Sequence, residues 1–193
     1  MLILAAFLLG VVMLRIGGCE LGRLNHLRLR WWPVAVAALV SQTAIFVVWP
    51  TGWRGVHLGV NLCTYAGIAV FLWVNRRISW LWVIAVGTGS NMAAITANGG
   101  VMPASRRAIS LAHLPHVAGF LNSAPVAHPH LEVLGDVLPT PPWLPLHNVA
   151  SIGDFLILGG ALLLVARAAG DGASLSWSRL LTTTGWSGPR AAR

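Results

Sequence analysis

Long apolar runs with hardly a charge inside them decide what this chain can become. Five stand out, over residues 1–14, 32–49, 56–74, 78–97 and 149–166. Each approaches the roughly 17–25 residues that carry a helix across a bilayer, the first being short. Between Trp32 and Ala97 the charged side chains are Arg54, Arg76 and Arg77 alone. Charged residues make up 9% of the chain, far below the quarter or so of a soluble domain. The expectation is an all-α polytopic membrane bundle of about five transmembrane helices. A membrane domain over 1–169 would include a long outer segment, 98–148, between the fourth and fifth helices. A flexible cytoplasmic tail would follow over 170–193.

The basic residues set an orientation. All thirteen are arginine, and most lie at the ends of the apolar runs. Arg15, Arg23, Arg28, Arg30, Arg76, Arg77, Arg167, Arg179, Arg190 and Arg193 share one side of a five-span chain; Arg54, Arg106 and Arg107 fall on the other. The positive-inside rule then predicts a bacterial cytoplasmic membrane protein with its N-terminus outside and C-terminus cytoplasmic. Topology thus accounts for the net charge of +8, and no nucleic-acid partner is implied. The first run lacks the positive flank of a signal peptide and reads as a retained helix. The segment "ELGRLNHLRLRWW" places leucines between arginines, as an interfacial stretch against anionic lipid does. Tryptophans near the helix ends fit an aromatic belt. Cys19 and Cys63 fall on opposite sides, so no disulfide is expected, and neither has a metal ligand at zinc spacing.

Polar residues within the runs share a depth. Asn61, Thr64 and Tyr65 lie in the outer half of the third helix; Asn91, Thr96 and Asn98 lie in the outer half of the fourth. Polar groups in a bilayer are costly unless paired or facing a wet cavity. Asn61, Tyr65, Asn91, Asn98, His147 and Asn148 are therefore candidate binding residues of an outward-facing pocket, with helix-to-helix hydrogen bonding as the alternative. "SIGD" at Ser151–Asp154 has the spacing of a capping box. Asp136, eighteen residues upstream, reads either as a solvated turn residue or as the partner of Asp154 in a catalytic pair. Two close carboxyls cannot both ionise easily, which supplies the acid and base of an aspartic hydrolase. His113, His116, His128 and His130 are weak metal candidates, because no Glu accompanies them and prolines interrupt their motifs; no metal or cofactor is expected.

"NGGVMP" (Asn98–Pro103), "LGDVLPTP" and "SIGDFLILGG" resemble the pattern of an uncharacterised domain-of-unknown-function family of small bacterial membrane proteins. The resemblance runs from the first helix to Ala166 and implies a fold without an activity. "HNVASIGDFLILGG" is also similar to the box that opens the last helix of lipoprotein signal peptidases, which are membrane aspartic proteases. That similarity carries Asn148 and Ala150 onto the box, places Asp154 near its aspartate and gives Asp136 the first acid's role. Two extra residues separate Ala150 from Asp154, and no Gly-Asn-Leu-Ile-Asp-Arg motif precedes Asp136. The leading expectation is a membrane-complex subunit or a binder of a lipid or envelope component. Its company would be the lipid bilayer, membrane-protein partners or a homo-oligomer. An aspartic membrane hydrolase and a small oligomeric transporter are the alternatives.

Overall fold

The computed structural model describes residues 2–49, 54–114, 123–144 and 147–170. The chain is mostly helical. Its principal helices are α1 (Leu2–Ile16), α2 (Trp32–Val48), α3 (Arg54–Val74), α4 (Leu81–Ala97) and α6 (Ile152–Gly170). A short helix, α5 (Arg106–Leu111), lies in the outer segment with four short strands: β1 (Met102–Pro103), β2 (Ser123–Ala124), β3 (Asp136–Pro139) and β4 (Val149–Ser151). Among the described residues Gly55–Val74 and Ile152–Ala169 are long and apolar enough to cross a membrane, whereas Ile3–Ile16, Trp32–Ile45 and Leu81–Ala97 are shorter apolar helices.

Glycines govern how the helices meet. The most extensive contact is α4 with α6, followed by α2 with α3. A Cβ on Gly87 would lie 2.6 Å from the Gly153 carbonyl oxygen, and one on Gly153 would lie 2.7 Å from that of Gly87. The two backbones touch, an approach that glycine at both positions permits because neither carries a Cβ. Gly67 seats α3 against Val34 and Ala38 of α2 in ordinary contact. At the opposite end of α3, Asn75 grips the segment before α2. It accepts from the Arg30 amide at 2.9 Å and donates to the Arg30 and Phe71 carbonyls at 2.7 and 2.8 Å. Phe71, Leu72 and Leu81 form an apolar cluster beside this clamp.

Helix ends differ from the sequence reading by up to four residues, α6 running on to Gly170, and two starts have a visible cause. Helix α4 starts at Leu81, not at residue 78, because Trp80 adopts a left-handed conformation (φ 72°) that a helix cannot continue through. Residues 149–151 are strand, and α6 begins after them. The outer segment contains ordered pairings: β1 runs parallel to β2, and β3 antiparallel to β4 with an irregularity between Asp136 and Leu138. Ala104 bridges Asp136, joining the two pairs into one small patchwork. Tyr65, Ala94, Ile95 and Met102, with Leu134, pack where this patchwork meets α3 and α4. Ala108 and Ile109 of α5, with Ala112 just past its end, pack with Ala104 and Val149. The expected tail lies outside the described residues beyond Gly170.

Candidate functional site

Asp136 is the joint of the outer segment. Its Cα pairs with Ser151 of β4 on one side and with Ala104 on the other, where its carbonyl accepts from the Ser105 amide at 3.0 Å. Held between two neighbours, the side chain is buried, 7% exposed, so it is not a solvated turn residue. Its Oδ2 accepts a short hydrogen bond from the Ser123 hydroxyl of β2. Burial pushes its carboxyl up to about 6; the Ser123 hydrogen bond pulls the other way, and the nearby Asp154 charge adds to the rise. Gly135 beside it is confined by the Pro103 carbonyl, leaving no room for a Cβ.

Asp154 is placed by α6. The amide of Asp154 donates to the Ser151 Oγ at 3.0 Å, and the amide of Ser151 donates to Asp154 Oδ2 at 3.2 Å. This is the reciprocal capping box that "SIGD" predicts. The arrangement extends to α4: Asn91 donates to Asp154 Oδ1 at 2.9 Å, and the fully buried Ser151 hydroxyl donates to Asn91 Oδ1 at 2.9 Å. Both Asp154 oxygens are thereby engaged. The two acids stand at the same end of the short β3–β4 pairing, Asp136 opposite Ser151 and Asp154 in the first turn of α6 just beyond it. Asp154 remains within electrostatic reach of Asp136.

The other predicted binding residues divide among separate networks rather than lining one pocket. Asn61, 1% exposed, accepts from Gln42 of α2 at 3.4 Å, and its amide nitrogen finds no partner among the described residues. Tyr65, one turn on, is buried in the cluster with Ala94, Ile95 and Met102. Asn98, just past α4, donates to the carbonyls of Ala94 and His130 at 2.7 Å each and accepts from the His130 amide at 2.9 Å. His147 bonds the Leu144 carbonyl through Nδ1 at 3.1 Å, and Asn148 pairs through its backbone with Thr140. His113, His128 and His130 are exposed, and His116 lies outside the described residues. Among the described residues no group of three or more His, Cys, Asp or Glu converges as metal ligands do.

Asn98 thus ties the end of α4 to a strand-bearing segment 32 residues away. Asn98→Ala should release that segment, raising amide exchange at His130 and through 123–139 by about fivefold to a hundredfold, as loss of about 1–3 kcal/mol implies. Hydrogen–deuterium exchange with mass spectrometry reads this directly; unchanged protection would show that packing alone holds the segment.

Ser123 and Gly153 escape a reading of the sequence. Ser123 meets Asp136 across 13 residues without any motif, whereas glycines in two apolar helices are a signal of close approach. No curated protein and no solved structure matches the chain. A family of unknown function (DUF5317) matches residues 26–166, covering α2 through most of α6 and both acids. The chain belongs to this family.

Proposed function

We propose that the chain is a five-span protein of the bacterial cytoplasmic membrane, N-terminus outside. Its outer segment binds a lipid or envelope component through Asp136. Apolar side chains such as Leu8, Val40, Trp73 and Leu163 face outward, which suits lipid and not water. The 17-residue helices α2 and α4 rise about 26 Å and the 15-residue α1 about 23 Å. Each is within reach of a roughly 30 Å hydrocarbon core with local thinning.

One observation carries the binding reading: Asp136 is a buried carboxyl whose side chain is held by a serine hydroxyl. Buried acids without a cation are costly and concentrate at functional sites. A ligand bearing an amine or hydroxyl group would add a donor to the one that Ser123 supplies. Asp154, by contrast, is consumed by capping and by Asn91, a structural duty. Gentle detergent extraction followed by native mass spectrometry tests this: a bound mass retained by the wild type should vanish in Asp136→Asn. The same adducts on both proteins, or a bare monomer throughout, would refute it.

A hydrolase reading has one observation in its favour, the electrostatic coupling of Asp136 to Asp154 beside a carboxyl titrating near 6. It requires Asp154→Asn to abolish function while leaving folded protein. The binding reading instead expects Asp154→Asn to lower thermal stability, because Oδ2 no longer caps Ser151 as a carboxylate.

A further inference from the structure

Between α3 and α4 runs a groove of about 280 Å³, near the lower end of volumes that take small molecules (roughly 300–1,000 Å³). Small residues open it: Ala69 from α3, with Ala85 and Gly89 from α4. A Cβ on Gly89 would meet nothing within 4 Å, so the space there is real and unfilled by neighbouring side chains. Tyr65 and Met92 lie at the outer end. Arg76 lies at the other end, where α3 turns toward α4. Its guanidinium stacks over Trp73 at 4.5 Å from the ring centroid and donates once to the Trp73 carbonyl at 3.3 Å. Stacking holds the head against the ring, the residue is exposed, and a guanidinium has further N–H donors beyond this one. Arg77 adds a second exposed positive charge beside it.

An apolar slot that ends at a pre-positioned guanidinium matches one chemistry in particular. We infer that the α3–α4 groove is a specific site for an anionic glycerophospholipid, one acyl chain lying in the groove and the phosphate on Arg76. A guanidinium binds phosphate by paired, charge-assisted hydrogen bonds, which a zwitterionic headgroup weakens by its own ammonium. Trp73 and Trp82, both exposed at this end, sit as interfacial aromatic residues do around such a headgroup. The site is separate from Asp136. It rests on the membrane placement of the bundle, which resistance of the protein to carbonate washing of membranes checks by itself.

The experiment uses full-length protein, delipidated in detergent, and titrates it with phosphatidylglycerol or phosphatidylcholine while native mass spectrometry counts retained lipids. One phosphatidylglycerol should be held per chain, in preference to phosphatidylcholine. Arg76→Gln, a surface change that does not threaten folding, should weaken phosphatidylglycerol retention about fivefold, as expected for one arginine at an anionic headgroup. Gly89→Leu should fill the slot and abolish retention of the single lipid while the protein stays monodisperse. Equal retention of the two lipids, or a Gly89→Leu protein that holds phosphatidylglycerol as the wild type does, overturns the assignment. Failure of the groove test leaves the Asp136 adduct measurement unaffected, so the two readings fall separately.

Discussion

Gly153→Ala should yield little or no folded protein. The added Cβ would collide with the Asn91 side-chain oxygen and lie 2.7 Å from both Asn91 Cγ and the Gly87 carbonyl oxygen. Neither obstacle is the tip of a flexible side chain: Gly87 offers backbone, and Asn91 is pinned by Asp154 and Ser151. Relief requires α4 and α6 to part, which would break the most extensive helix contact and the polar bridge together. Overpacking in rigid cores costs about 1–3 kcal/mol, and losing these hydrogen bonds adds to it. Gly159→Ala is the control on the same helix, since its Cβ would meet nothing within 4 Å. There the gain in helix propensity, up to about 1 kcal/mol, should leave stability equal or raised. Fluorescence-detected size exclusion and thermal unfolding compare the two. Equal behaviour would mean that α4 and α6 do not approach as closely as the backbone geometry requires.

That contact also shows where sequence reasoning reaches its limit. Apolar length and arginine placement give α2 and α3 nearly to the residue, because an unbroken run leaves the backbone no alternative partner. "SIGD" reads correctly as a capping box for a similar reason: its hydrogen bonds close within four residues. The outer segment is different. Strands of two to four residues are too short for alternation to register, and Met102 finds Ser123 across 21 positions. The sequence offers Asn98 as a wall of the same pocket as Asn91, seven residues earlier. Instead it bonds the His130 backbone, while Asn91 reaches α6. A shared depth in the sequence says nothing about which distant backbone arrives there. The burial of Asp136 is equally invisible locally, since it arises from Ala104 and Ser151 closing on it from two sides.

Asp136→Asn should stabilise the protein above pH 6 and flatten its stability between about pH 4 and 6. The folded carboxyl titrates near 6 instead of 3.8, chiefly because burial penalises its charge. A raised acid pKa means that folding favours the protonated form. Its stabilising share is therefore complete below the unfolded value and is lost as pH climbs through about 6. The shift corresponds to about 3 kcal/mol between the two ends of that window. Asparagine carries no charge to desolvate, and its amide oxygen can still accept from Ser123, though less strongly than a carboxylate. A net gain of about 1–2 kcal/mol should then appear at pH 7.5 as a melting temperature several degrees above wild type, with no difference near pH 4. Melting curves of purified protein across pH 4–8 decide it; a variant less stable at pH 7.5, or one keeping the wild-type slope, would remove Asp136 as the titrating group. The sign of this effect bears on function. A carboxyl kept where its neutral isostere is more stable serves something other than the fold. If Asp136 binds a ligand as proposed, Asp136→Asn should gain stability in the same preparation in which it loses the bound mass.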